Sequence, residues 1–495
     1  MPTLGALLQG IVPDGEWQVA HDRPVSGLFD DSRRVQPGGV FVALRGTRVD
    51  GHGFVKDALR RGAAVVVGEH VERTNGALVV NVADARAALA RLAVRWHGLD
   101  NRLGRTFKLL GVTGTNGKST TAFMAQAILR AAGSPCGLLG TVQYDLCRRC
   151  VTADMTTPGP LDLAALLREC ADAGAAAAVL EVSSHALEQR RADGLRFSAA
   201  AFTNLTQDHL DYHRTLEAYA AAKARLFEQL DASGVAVVNA DDPRHERMLQ
   251  GCRARVLRYS LERPAEIMAA ITRDTIEGTL YRLRIDGRDL VLHNALVGRH
   301  NVYNAMAAAG LALAAGAPPD AVAAGLATVR NIPGRLQRVP GIQGVQVFVD
   351  YAHTPDALRN VARVLRPLTC GRLIVVFGCG GERDRPKRPL MAQAAAEFAH
   401  AIIVTSDNPR SEDPRAIIAE ILTGFDEQSI RRVLVEPDRR RAIHAALAAA
   451  RPGDIVLIAG KGHENYQVVG PQKLHFDDVE VAIQAAAELP RRPAE

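Results

Sequence analysis

The sequence predicts an α/β protein built on parallel sheets and divided into three domains, and three observations lead there. Apolar β-rich runs recur along the chain, each followed by a glycine-bearing or polar loop and then an Ala/Leu-rich helical pattern, as parallel strands with crossover helices require. With 495 residues, 47% of them hydrophobic, the chain holds material for about three cores of ordinary size, which excludes a single small module. Polar or Pro/Gly breaks near 100–105 and at Pro333-Gly334-Arg335 separate the runs into blocks at 1–105, 106–337 and 338–495.

The first block carries strand patterns at 40–44 and 63–67 with a helical segment between them, and reads as a small mixed α/β domain. The polar stretch 100–105 reads as a linker. The central block opens on the strand 108–113 and continues through strands near 177–182, 199–203 and 235–239. The last block shows strand patterns at 345–350, 372–377, 401–405, 432–435 and 454–458, which is the signature of a doubly wound, Rossmann-like sheet. In such sheets ligands lie beyond the carboxyl ends of the strands. Those ends fall at 350–353, 378–381, 407–410 and 460–464, so four polar loops share one rim.

Composition narrows the function classes. Gly (43) and Pro (24) are near ordinary usage, which argues against collagen-like or disordered chains. The balance of 60 Lys+Arg against 54 Asp+Glu leaves +6, too dilute over this length to point to nucleic acid, although local basic sites for acidic small molecules fit it. Seven cysteines, an odd number without dense spacing, suit a reducing compartment. Cys147-Arg-Arg-Cys150 is at most half a zinc site, because no second pair completes four ligands. The N-terminus lacks the pattern of a signal peptide. The uncharged stretch 301–319 is rich in Ala and Gly and ends in two prolines, so it reads as a packed helix rather than a membrane span.

The most informative segment is Gly114-Thr115-Asn116-Gly117-Lys118-Ser119-Thr120, between an apolar strand and a helical pattern. Glycines there let successive amides face phosphate oxygens at a helix N-terminus, Lys118 neutralises the β/γ phosphates, and Ser119 or Thr120 can hold Mg²⁺. The usual spacing would place a glycine at position 112, occupied by Val112, so this is a P-loop variant with a shorter glycine separation. The next strand ends in Glu181, a magnesium candidate. The loop 204–213 offers hard oxygen and imidazole donors. Lys223, among alanines on a helical pattern, reads by spacing alone as a surface lysine.

Taken together, the phosphate loop, Glu181-Val182-Ser183-Ser184-His185, the 204–213 loop, Gly298-Arg299-His300-Asn301, Gly334-Arg335 and Asp350-Tyr351-Ala352-His353 resemble the Mur ligases in order and over nearly the whole chain. That resemblance implies a first domain for a UDP-sugar, a central P-loop ATPase-like domain, and a last domain for an incoming amino acid. It implies ATP, Mg²⁺, an acyl-phosphate intermediate and C–N bond formation in cytoplasmic peptidoglycan precursor synthesis. No nucleic-acid partner or membrane span goes with it, and a monomer is expected.

Carried over by residue, the resemblance gives Lys118 the γ-phosphate, and gives Ser119 and Glu181 one Mg²⁺. His209 and Lys223, the latter carbamylated by CO₂, go to a second metal. Asn301, Arg335 and Asp350 join Gly114 to Thr120 around ATP. Ser32, Thr47 and Arg48 fall to the uridine end of UDP-N-acetylmuramoyl-L-alanyl-D-glutamate, and Thr156, Thr157, Ser183, Gln189 and Arg191 to its sugar and peptide. Asp407-Asn408-Pro409-Arg410 and Gly460 to Glu464 are similar to members that add meso-2,6-diaminopimelate. The arginine fork of Arg410, supported by Arg383, suits the distal carboxylate that lysine lacks, and Glu464 suits the distal ammonium, with Asn408 and Gly460 orienting it. Rival readings are a lysine-adding relative, a folylpolyglutamate synthase-like ligase, and a nucleotide switch without ligation.

Overall fold

A computed structural model describes residues 1–46, 49–73, 77–206 and 210–489. Its contacts divide the chain into two units. One contains 1–268, 284–288 and 303–325; the other contains 269–283, 289–302 and 326–495.

The first unit holds a four-stranded parallel sheet in the order 28–29, 40–42, 65–68, 78–81. Alternation along its strands explains why both faces are apolar: Val40, Val42, Val65 and Val67 enter one core, and Phe41, Ala43 and Val66 enter another. The stretch expected to be a linker is a hydrogen-bonded turn in which Leu103 is buried with Leu99 and Phe107. The central sheet of this unit runs 255–260, 230–239, 197–202, 108–113, 177–181, 136–139, 143–145, 150–152. It is parallel up to 136–139 and antiparallel in the last two pairings. Strand Lys108–Thr113 lies between 197–202 and 177–181, with Phe202 opposite Thr113 and Glu181 opposite Val112. That register brings three strand ends to one place.

The second unit contains a six-stranded sheet in the order 337–338, 346–350, 455–459, 373–377, 401–404, 433–435, parallel except for the first pairing. Its strands read as unbroken apolar runs because both faces are covered. Phe348, Val375, Phe377 and Leu457 pack with helices Pro355–Leu365, Lys387–Phe398 and Pro414–Leu422. Val349, Ile374, Val376 and Ile458 pack with Arg439–Ala449 and Asp478–Glu488. This is the doubly wound arrangement expected from the sequence. A hairpin of 466–469 and 472–475 follows the last sheet strand. Among the described residues, no helix is long and apolar enough to cross a membrane.

Candidate active site

In the first unit, strand Lys108–Thr113 ends in a tight loop and helix Lys118–Ala131 begins at once. Two glycines make the turn, Gly114 at φ 151° and Gly117 at φ 84°. A Cβ on Gly114 would stand 1.9 Å from Thr203 Oγ1, and one on Gly117 2.3 Å from Asn304 Oδ1. Backbone strain and close approach therefore both require glycine. Val112 is buried inside the strand, so the shorter glycine separation is built into the turn.

Lys118 Nζ donates to the carbonyls of Gly114 and Thr115, at 2.8 Å each. Lys223, expected from spacing to be a surface residue, is 1% exposed. Helix Leu216–Glu228 packs it inward, where its Nζ donates to the same Gly114 carbonyl at 2.9 Å and lies 4.3 Å over the Tyr219 ring. Two ammonium groups thus converge on one carbonyl oxygen.

Glu181, fully buried at the end of the neighbouring strand, receives Ser119 Oγ on Oε2 at 3.0 Å. Thr141 binds the same carboxylate through its amide (2.9 Å to Oε1) and its hydroxyl (3.0 Å to Oε2). Gly140 leaves room for it, since a Cβ there would meet Glu181 Oε1 at 2.1 Å. Thr156 Oγ1 lies 3.0 Å from Thr141 Oγ1. The Thr157 hydroxyl donates to the Glu181 carbonyl (2.8 Å) and accepts from the Ser183 amide (3.1 Å), so it fixes the strand end. Gln189 Oε1 accepts two bonds from Arg191, at 2.7 and 3.1 Å, and Arg191 also donates to the Thr157 carbonyl at 2.8 Å. Burial pulls the Arg191 guanidinium below its usual range.

Sequence reasoning missed Thr141, Asn304 and Tyr219; only the fold brings Thr141 to Glu181 and the other two to the loop. In the first sheet region, Ser32 is buried at the start of a 3₁₀ turn, and its hydroxyl donates to Asp57, which helps hold that carboxyl below its usual range. Thr47, Arg48 and His209 lie outside the described residues.

The second unit holds the other expected residues, with Asp350, 407–410 and 460–464 at the carboxyl ends of its strands. Asp350 Oδ2 accepts the Leu336 amide at 2.6 Å. Burial raises its carboxyl to about 6, against the opposing pull of Arg335 and the amides of Leu336 and Ala352. The Arg335 guanidinium lies 5.2 Å over the Tyr351 ring, which also packs on His353 and His463. Asn301 Nδ2 donates to the Val297 carbonyl at 2.8 Å.

The buried Asp350 carboxyl makes stability depend on pH. Its folded-state value lies above the unfolded one, so the folded protein holds the extra proton between about pH 4 and 6 and loses about 3 kcal/mol as pH rises through that window. Asp350→Asn should therefore gain thermal stability relative to wild type on going from pH 4 to pH 8. A stability difference that is flat with pH would refute this.

Beside Asp350, the Gly460 amide donates to its carbonyl at 3.0 Å, and a Cβ on Gly460 would reach Asp407 Oδ2 at 2.7 Å. Asp407 Oδ1 accepts the Asn408 amide, and Asn408 Nδ2 donates to Glu464 Oε2 at 2.8 Å. Pro409 carries the chain into Arg410, which has φ 54°. The Arg410 amide donates to the Val468 carbonyl (3.0 Å), and its carbonyl accepts from Gly470 (2.7 Å). Its NH1 donates to the Gly381 carbonyl at 2.8 Å. Fully buried Arg388 braces this loop from beneath, bonding both Glu412 oxygens at 3.0 Å and the Gly380 carbonyl at 3.3 Å. Arg383 lies near enough to Tyr466 to counter the upward push on that phenol.

Three family matches cover the chain in order: Mur ligase family, catalytic domain, over 24–97; Mur ligase middle domain over 112–312; and Mur ligase, glutamate ligase domain, over 334–462. The chain is 45% identical over 484 residues, covering 94% of each chain, to the UDP-N-acetylmuramoyl-L-alanyl-D-glutamate–2,6-diaminopimelate ligase of Geobacter sulfurreducens. To the ligase of the same name from Gloeobacter violaceus it is 46% identical over 473 residues, covering 94% and 95%. A solved structure of a ligase of that name superposes with a TM-score of 0.71 at 36% identity, covering 98% of both chains. A folylpolyglutamate synthase from Thermotoga maritima, at 18% identity and TM-score 0.57 with 76% of this chain and 89% of that one covered, shares the fold alone. Together with the glycine loop and the buried acid at the adjacent strand end, these matches settle the question of kinship: the chain belongs to the Mur ligase family.

Proposed function

We propose that the protein is an ATP-dependent ligase that joins meso-2,6-diaminopimelate to the D-glutamate side-chain carboxylate of UDP-N-acetylmuramoyl-L-alanyl-D-glutamate. It would act in the cytoplasm, where peptidoglycan precursors and ATP meet, and as a monomer. Residues 1–105 would hold the UDP end, 106–337 ATP and the acceptor peptide, and 338–495 the amino acid. The observation that carries this reading is the Ser119–Glu181 contact at the mouth of the glycine loop, because it sets a hydroxyl and an ionisable carboxylate beside the place where a terminal phosphate would lie.

A carboxylate is a poor acyl donor, since its leaving group would be oxide. Transfer of the γ-phosphoryl group from ATP gives an acyl phosphate and ADP; attack by the diaminopimelate amine then forms the amide and releases phosphate. Most of the catalysis is positioning and charge neutralisation. In this scheme the loop amides of 114–120 cradle the phosphates. Lys118 leaves the Gly114 and Thr115 carbonyls for the γ-phosphate, and Asn301, Arg335 and Asp350 serve the rest of the nucleotide.

The hard oxygens of Ser119 and Glu181 fit Mg²⁺, which when bound would neutralise phosphate charge. For a second ion we assign His209 and carbamylated Lys223. The convergence of Lys118 and Lys223 on one carbonyl supports that modification, because turning one of two neighbouring cations into an anion converts repulsion into attraction. Ser32, Thr47 and Arg48 are assigned to the uridine end. Thr156, Thr157, Ser183, Gln189 and Arg191 are assigned to the sugar and peptide, with the Thr157 hydroxyl acting through the main chain it fixes. Arg410, supported by Arg383, Asp407 and Pro409, takes the distal carboxylate; Glu464, with Asn408 and Gly460, takes the distal ammonium.

Phosphate release from MgATP tests the reading. It should require both the UDP-muramyl dipeptide and meso-diaminopimelate, and lysine should replace the latter poorly. Release with neither present would favour a nucleotide switch. Equal use of lysine would favour a lysine-adding ligase.

A further inference from the structure

Lys461 is a fully buried cation to which neither the phosphate chemistry nor the substrate assignments above give a part. It sits between Gly460 (φ 116°) and Gly462 (φ 57°), whose positive φ values turn the chain sharply on either side of it. Its Nζ donates to Asn408 Oδ1 at 3.2 Å, approaches Glu464 Oε2 at 3.5 Å, and donates to the Tyr466 carbonyl in the hairpin.

The consequences for Asn408 are definite. Its Oδ1 accepts from Lys461 and from the Val468 amide (2.9 Å), so both acceptor sites of that oxygen are filled by the protein and the amide can face only one way. Nδ2 is thereby aimed at Glu464 Oε2. Glu464 Oε2 is engaged by two donors, whereas Oε1 has no hydrogen bond among the described residues. A carboxylate held this way presents one oxygen, in one direction, to a ligand.

The same ammonium secures the hairpin that fixes Arg410. The Tyr466 carbonyl is bonded to Lys461, the Val468 amide to Asn408, the Val468 carbonyl to the Arg410 amide, and Gln467 Nε2 to the Asp407 carbonyl at 2.6 Å. Removing the cation would take one donor from each of three acceptors in one network, leaving Asn408 Oδ1 to the Val468 amide and Glu464 Oε2 to Asn408 Nδ2.

We infer that Lys461 is a positioning residue for the amino-acid site: its ammonium orients Asn408 and Glu464 and clamps the 466–475 hairpin onto the loop that carries Arg410. The inference rests on the diaminopimelate reading and adds to it how that pocket is held before the ligand arrives.

The test uses the full-length enzyme with Lys461→Met, Asn408→Ala and the double variant, and steady-state kinetics in each substrate. The expected result for Lys461→Met is a rise of about 30-fold in KM for diaminopimelate, with KM for ATP and for the UDP-muramyl dipeptide within about twofold and kcat within about threefold. The double variant should be little worse than either single one, because both changes break one network. Proportional changes in all three KM values, or fully additive single effects, would overturn the inference. Should Lys461→Met fail to fold, Lys461→Arg keeps the buried charge but not the compact ammonium; an unchanged KM for diaminopimelate in that variant would also overturn it. A wild-type enzyme indifferent to diaminopimelate would instead remove the functional reading itself.

Discussion

Lys223→Ala should lower kcat by about three orders of magnitude, a loss of about 4 kcal/mol of transition-state stabilisation, while leaving a folded protein. The side chain is 1% exposed and turns inward, donating to the Gly114 carbonyl and lying over the Tyr219 ring. A surface lysine would tolerate this change. At this buried position it removes the group assigned to carry the carbamate, and with it the anionic oxygens meant to stand beside the phosphates. Alanine suits the surrounding helix, so stability should change less than turnover does. Added formate or acetate should restore part of the activity by returning a carboxylate to the space. Full activity in the unrescued variant would remove Lys223 from the reaction.

Arg410→Lys should raise KM for diaminopimelate by about 100-fold and leave KM for ATP within about twofold, since a lysine cannot reproduce a planar two-point grip on a carboxylate. The surrounding bonds explain why the fork stands where it does. Its backbone is held at φ 54° by bonds to Val468 and Gly470, and NH1 is tied to the Gly381 carbonyl. Gly380 has no side chain to obstruct it; a Cβ there would lie 3.0 Å from NH1. An ammonium on a flexible stem keeps the charge but loses that anchoring. Equal effects on both KM values would take Arg410 out of the amino-acid pocket.

These cases also show what was legible in the sequence. Strands such as Leu373–Phe377 and Ile455–Ala459 could be read because a strand buried on both faces is an unbroken apolar run. The glycine turn between strand Lys108–Thr113 and helix Lys118–Ala131 could be read because positive φ and close neighbours demand glycine at set places. Thr141 could not, since a single threonine carries no spacing signal and reaches Glu181 only through the order of strands in the sheet. The burial of Lys223 and Lys461 was equally hidden: a lysine reads as a surface residue until the partners that enclose it are known. The hairpin 466–475 had left a trace, β-prone residues on either side of Gly470-Pro471, and that turn signal could have revealed the strap behind Arg410.

In the proposed ligation the terminal phosphoryl group passes through the acid of the muramyl dipeptide. With ¹⁸O in the D-glutamate side-chain carboxylate, full-length enzyme, MgATP and meso-diaminopimelate, one labelled oxygen should appear in inorganic phosphate for each amide formed. Amide formation with unlabelled phosphate would contradict the acyl-phosphate route and, with it, the phosphate-binding roles of the loop at Gly114 to Thr120.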